Sequence, residues 1–182
     1  MKPIPNSGGV VMGWLKISIL VRWLIGWALA LRLPLLPPGT PSQRLQVSVL
    51  IPARNEAATL PHLLAALAAQ RLQPDEVIVI DDASSDDSAA IALNAAAQLP
   101  IRVIQAPPLP PDWCGKPWAL HHGVQASRGE LLLFLDADTE PEPEFMERLL
   151  ARHEALGGLV SVQPYHRTEK PYEQPIHELQ AL

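Results

Sequence analysis

Two aspartates separated by one residue, Asp136 and Asp138, are the strongest chemical signal in the sequence. On extended chain, positions i and i+2 direct both carboxylates to one side. Such a pair repels itself unless one group is protonated or a hard cation lies between them. Magnesium or manganese suits these oxygen donors and keeps positions open for substrate phosphates. A D-x-D triplet alone is also an ordinary solvated turn, and Thr139-Glu140-Pro141 fits one. Two more polar clusters shift the balance. Asp81 and Asp82 follow an apolar run, where a carboxylate can accept hydrogen bonds from a base or ribose. Ser85 and Asp86, just after them, read as caps of the next helix. Pro52, Arg54 and Glu56 follow another apolar run, with Asn55 open to a capping role and Arg54 to a plain surface charge.

A fourth cluster is Trp113-Cys114-Gly115-Lys116-Pro117-Trp118. Gly115 permits a close turn, and Lys116 near a helix start is placed to meet a phosphate. The spacing is not that of a P-loop. The competing role is a loop whose tryptophans fill a core edge. Neighbouring helical residues diverge, so His121 and His122 read as structural or solvent-facing rather than as a metal pair. Cys114 has no base placed for it and reads as a small packed residue.

The elements that must position these groups alternate. Apolar, β-branched runs at Val47–Ile51, Glu76–Ile80, Ile101–Ile104, Leu131–Leu135 and Leu159–Val162 predict strands. Helical patterns fall at Asn55–Gln70, Ser84–Gln98, Lys116–Ser127 and Glu144–Leu156. That order predicts an α/β fold with a mainly parallel sheet and helices on both faces. Ligands of such sheets bind beyond the carboxyl ends of the strands. Three strands therefore deliver polar residues to one rim.

The N-terminus differs. Val10 to Leu36 is apolar apart from Lys16, Arg22 and Arg32. Arg22 interrupts the run that a clean span requires, about 20 apolar residues. Trp14, Trp23 and Trp27 suit a membrane interface, so a short span and a surface-lying helix both fit. Ala28-Leu29-Ala30 resembles a signal-peptide cleavage site, against which the central Arg22 argues. A buried helix of a soluble domain is the plainer alternative. The expected organisation is a membrane-associated helix at 1–36, a proline-rich linker at 37–46 and one domain at 47–182.

Composition excludes other classes. With 182 residues, 48% hydrophobic and 18% charged, the chain is one folded domain and not a disordered one. Fourteen basic against nineteen acidic residues leave no basic field for nucleic acid. One cysteine rules out an intrachain disulfide and a Cys-rich zinc site.

VSVLIPARNEAATL, EVIVIDDASSDDS, GKPWALHHGV and GELLLFLDADTEPEPEFM, in this order, resemble family 2 glycosyltransferases of the GT-A fold over about Val47 to Val162. PPDWCGKPWALHHG and GLVSVQPYHRTEKPYEQ are similar to the membrane-anchored branch acting on lipid-like acceptors, including the diaponeurosporenoate-type carotenoid and the hopanoid-associated enzymes. The resemblance implies sugar transfer from a nucleotide-sugar, expected to be a UDP-sugar, to a carotenoid or other isoprenoid acceptor. It also implies a Mg2+ or Mn2+ cofactor, and a cell-membrane location with the domain on the cytoplasmic side. It implies that Pro52, Arg54 and Glu56 line the nucleotide site and that Asp81 and Asp82 bind base and ribose. Lys116 then lies near the diphosphate. Asp136 and Asp138 form the D-x-D and hold the metal, Asp138 being the direct ligand, with Asp136 also against the donor.

The sequence departs from that pattern. Family members carry an acidic base, often in an E-D pair, and a Q-x-x-R-W segment well after the D-x-D; neither occurs before Leu182. Glu140, Glu142 and Glu144 follow the D-x-D too soon to match. A truncated chain, a frameshifted product or half of a split enzyme is the expectation, and its alternative a non-catalytic nucleotide-sugar-binding remnant. A nucleotidyltransferase would need a Gly-rich loop after the first strand, which PARNEA lacks.

Overall fold

A computed structural model of the protein describes residues 17–26 and 36–162. They fall in two compact units, residues 36–162 forming one and residues 17–26 belonging to the other.

Residues 17–26 are helical (α1), and every one is exposed. Ile19, Leu20, Trp23 and Leu24 are 53–61% exposed. Among the described residues, no helix is long and apolar enough to cross a membrane. The rest of the expected membrane helix, with Trp14 and Trp27, lies outside the described residues.

In the larger unit, strands β1 (Val47–Ala53), β2 (Glu76–Asp81), β3 (Ile101–Gln105) and β4 (Leu131–Phe134) form one sheet in the order β3-β2-β1-β4. All three pairings are parallel. Between the strands come α2 (Leu60–Ala68), α3 (Ser88–Asn94) with a 3-10 turn at Ala95–Ala97, and α4 (Gly115–Ala126). Helix α5 (Phe145–Leu156) follows β4. The β1-β2-β3 steps run one way across the sheet, and the β3-β4 step returns past both. With a constant right-handed crossover, that reversal requires α4 to cover the opposite face. The core divides accordingly. Val49, Ile51, Val77 and Val79 pack with Leu60, Leu63 and Leu67 of α2, Ala92 of α3 and Met146 of α5. Leu50, Ile78 and Ile80 meet Ala119 of α4. The α4 face is thin because it is built of small residues. A Cβ at Gly123 would lie 2.9 Å from Ile80 Cδ1.

The expected helices at Asn55 and Ser84 begin later than their sequence patterns suggest. Asn55 and Ala83 take left-handed φ values of 58° and 55°, which no helix start tolerates. Both loops form turns before α2 and α3. The expected strand at Leu159–Val162 is absent. Gly157 and Gly158, at φ 67° and 68°, end α5, and Leu159 emerges 91% exposed with no ladder partner among the described residues. Buried Gln70 joins α2 to α5, accepting the Met146 N–H (3.1 Å) and donating to the Glu142 carbonyl (2.7 Å).

At the amino ends of the strands, a polar staple fixes where β4 starts. Fully buried Ser48 donates to Glu76 Oε2 (2.7 Å) and accepts the Gly129 N–H (2.9 Å). Arg128 N–H also reaches Glu76 (3.1 Å), and Arg102 pairs with it at 2.9 Å. A side chain at position 129 would collide with the Ser48 backbone nitrogen at 2.6 Å. Partial burial alone would raise the Glu76 pKa. The Ser48 hydroxyl, the Arg128 N–H and the Arg102 and Arg128 charges outweigh it and hold the carboxyl below its usual range. A carboxylate depressed in the folded state stabilises above its unfolded pKa and loses that contribution as pH falls through its folded one. Glu76→Gln is therefore expected to cost about 1–2 kcal/mol at pH 7. In urea melts, its gap to wild type closes as pH drops below about 4. A gap constant from pH 7 to pH 3 would refute this role.

Candidate functional site

The strand order reverses between β1 and β4, because the β3-β4 connection returns past β2 and β1 with α4 on the opposite face. The ligand crevice of a parallel sheet opens beyond the carboxyl ends of the strands at such a reversal. Here it is a cleft of about 370 Å³. Pro52, Arg54 and Glu56 from the end of β1, Asp82 from the end of β2, Lys116 from the start of α4, and Asp136 and Asp138 after β4 all line it, with Gly115. The sheet thus brings seven of the eight sequence-predicted residues together. A second hollow of about 260 Å³ lies by the linker and the strand starts, among Thr40, Val47 and Asp75, and holds none of them.

The eighth, Asp81, turns away. It is 4% exposed, and its Oδ1 accepts the Ser84 N–H at 3.0 Å, closing the turn after β2. Asp81 is thus not among the residues lining the cleft, and its Oδ1 serves the turn. Asp82 takes the open position. Its Oδ2 lies 3.5 Å from Arg54 Nη1 and rests against the start of α4, where a Cβ on Gly115 would come within 2.8 Å. Across the cleft, Lys116 Nζ donates to Asp136 Oδ1 at 2.6 Å. Both side chains of that pair are more than half exposed.

Asn55, read as a cap, instead ties two rim loops: its Oδ1 accepts the Ser85 N–H (2.8 Å) and hydroxyl (3.1 Å). Asp86 accepts the Ala57 N–H (3.0 Å) and the Ser88 N–H at the start of α3 (3.0 Å). So Asp86 does serve the helix start, while Ser85 serves Asn55. The Ser88 hydroxyl, with those N–H groups, holds the Asp86 carboxyl below its usual range. The sequence signal for this network is the run Ser84-Ser85-Asp86-Asp87-Ser88 opposite Asn55, which only the β1-β2 pairing makes legible.

Cys114 is exposed, not packed, at the N-cap position of α4, and its carbonyl accepts the Trp118 N–H at 3.0 Å. His121 and His122 pack with Trp113 and Trp118, with ring centroids 4.3–5.8 Å apart, in keeping with a structural role. Trp118 Nε1 donates to the Pro107 carbonyl (2.9 Å), anchoring the proline loop on α4. Glu140, Glu142 and Glu144 do not line the cleft, and Glu144 is paired with Arg71.

Among the described residues, no group of three Asp, Glu, His or Cys stands close enough to hold a metal by itself. Asp136 and Asp138 supply two carboxylates on one wall. That donor set fits a hard divalent ion taking its other ligands from water and phosphate, and does not fit a resident structural metal.

An α/β domain with an acidic, phosphate-competent cleft at the strand reversal is a nucleotide-binding architecture. Comparison with known proteins makes this specific. Residues 48–180 match the family model described as glycosyl transferase family 2, and the chain belongs to that family. It is 38% identical over 130 residues to the 4,4'-diaponeurosporenoate glycosyltransferase of Staphylococcus haemolyticus, covering 70% of this chain and 34% of that protein. The chain thus spans about a third of the length of that curated relative. Glucosyl-3-phosphoglycerate synthase of Mycobacterium tuberculosis, in complex with Mn2+, UDP and glucosyl-3-phosphoglycerate, is 28% identical with a TM-score of 0.50. The match covers 67% of this chain and 48% of that one. The mannosyltransferase PcManGT of Pyrobaculum calidifontis, in complex with GDP-Man and Mn2+, shares the fold at 21% identity and a TM-score of 0.59, covering 79% and 42%.

The two adjacent aspartates have separable roles. Asp81→Ala is expected to lower unfolding free energy by about 1–2 kcal/mol, since it removes the acceptor of the half-buried Ser84 N–H. Asp82→Ala, which removes only a pair to an exposed arginine, is expected to change it by under about 1 kcal/mol. Parallel urea melts compare them; equal losses would contradict the division.

Proposed function

We propose that this chain is the donor-binding part of a glycosyltransferase that moves a sugar from a nucleotide-sugar to a lipid-like acceptor, a carotenoid or other isoprenoid. The observation that carries the reading is the convergence of Arg54, Asp82, Lys116, Asp136 and Asp138 on one cleft at the strand reversal. The acceptor class rests on the name of the diaponeurosporenoate glycosyltransferase relative, and UDP as the donor nucleotide on the synthase that binds it.

Each residue has a physical task. Asp82, held between Arg54 and α4, offers its free carboxylate edge to ribose hydroxyls. Pro52 and Glu56 complete the nucleotide wall. Lys116 stands in the first turn of a 12-residue helix, where its charge and the helix dipole both favour a diphosphate. Asp136 and Asp138 would hold Mg2+ or Mn2+, which when bound neutralises charge on the departing nucleoside diphosphate. No cleft residue is assigned as the base that takes the acceptor proton.

The location proposed is the cytoplasmic side of the cell membrane. Helix α1 supports the membrane part of that reading: Ile17, Ile19, Leu20, Val21, Trp23, Leu24 and Ile25 are all exposed apolar side chains, which suits a lipid surface.

Two measurements test the reading. Calorimetry of UDP with Mn2+ should show binding that weakens at least about tenfold in Asp138→Ala, the size expected for losing a metal ligand. Unchanged affinity would remove Asp138 from the metal site. In flotation with anionic vesicles, the full chain should rise with lipid, and Ile19→Asp/Leu24→Asp should stay in the soluble fraction. A double variant that still floats would take the anchor away from α1.

A further inference from the structure

The cleft carries four carboxylates, Glu56, Asp82, Asp136 and Asp138, against two cationic side chains, Arg54 and Lys116, for a net charge of -2. A dianionic diphosphate arriving alone meets that negative charge. A divalent cation arriving alone meets a different obstacle. Asp136 Oδ1, one of the oxygens it needs, already accepts from Lys116 Nζ at 2.6 Å. The cation must displace the ammonium, or sit beside it and be repelled.

We propose that Lys116 is an internal counter-ion that couples the two ligands: it holds Asp136 while the cleft is empty and passes to the diphosphate when that group binds, releasing Asp136 to the metal. The inference rests on the donor-site reading above and adds to it an assignment of what makes the two affinities interdependent. Three features fit it. The pair is solvent-exposed, 57% and 55%, so it is weak enough to exchange. Lys116 stands in the first turn of α4, where an anion has helix N–H groups as well as the ammonium to bind. The lysine stem is long and flexible, so Nζ can change partner without moving the helix. The coupling is reciprocal by thermodynamic necessity: whatever factor the diphosphate adds to cation affinity, the cation adds to diphosphate affinity.

The test is titration of the full chain with Mn2+, reading free Mn2+ by its electron paramagnetic resonance signal, in wild type, Lys116→Met and Lys116→Arg. Mn2+ and UDP also associate in free solution, so the deciding comparison is Mn2+ alone. There Lys116→Met should bind Mn2+ about three- to tenfold more tightly than wild type, the range of one exposed ion pair and the repulsion removed with it. Lys116→Arg should stay within about twofold of wild type, because it keeps the charge that competes. With UDP present, the gain in Mn2+ affinity on adding nucleotide should be smaller in Lys116→Met than in wild type. Equal or weaker Mn2+ binding by Lys116→Met in the absence of nucleotide would overturn the coupling role. If that variant gains Mn2+ affinity but no protein in the series binds UDP, the counter-ion role stands and the nucleotide-sugar reading fails. If UDP binds with Mn2+ while Lys116→Met matches wild type throughout, the nucleotide reading stands and the coupling role fails.

Discussion

The constraint on which this molecule turns is the constant hand of its strand crossovers. Each right-handed step from β1 through β3 must place its helix on one face, and the return to β4 must place α4 on the other. The strand order thereby reverses between β1 and β4, and the cleft lies beyond their carboxyl ends. Every charged group in the cleft is attached to the loop after β1, β2 or β4 or to the start of α4. The chemistry of Asp136 therefore depends on the address of β4. That address is set at the far end of the strand, by Ser48, Glu76 and the close approach that only a glycine at 129 permits.

The strands were legible because their signal is local. Val47–Ile51, Glu76–Ile80 and Ile101–Ile104 are apolar runs whose bounds in the structure move by two residues at most. What a strand run cannot state is whether a neighbour exists to pair with it. Leu159–Val162 has the same composition and no ladder among the described residues. Helix starts were less legible for a related reason. Asn55 and Ser85 have capping side chains, but their best partners are each other, across two loops that only the β1-β2 pairing brings together. Local propensity gave way to a tertiary hydrogen bond of better geometry.

The same distinction separates the two aspartates at the end of β2. Composition treats Asp81 and Asp82 alike. Alternation along the strand and the demands of the following turn do not: one carboxylate is buried against the Ser84 N–H and the other opens on the cleft. Identity of residue type located the rim, and position at the strand end decided which of Asp81 and Asp82 lines the cleft. Cys114 shows the converse. Its type suggested packing, yet its place as N-cap of α4, on extended backbone, leaves it at the surface.

The cleft is charged on both sides, and four of its six charges have an opposite within reach, Arg54 with Asp82 and Lys116 with Asp136. Such pairs contribute little to stability, because water competes for both partners. Their use lies in what they withhold. An exposed pair keeps the carboxylates from collecting stray cations and keeps the ammonium from collecting stray anions, at an energy small enough for the right ligand to overcome. The rigid parts are placed elsewhere: Trp118 on Pro107 pins the loop that leads into α4, and Gln70 pins α5 behind the D-x-D turn. Backbone is thereby held by hydrogen bonds outside the cleft, while the charged tips in the cleft remain free to trade partners. A site whose two ligands carry opposite charge needs this division, since fixed tips would bind either ligand alone and lose the dependence of one on the other.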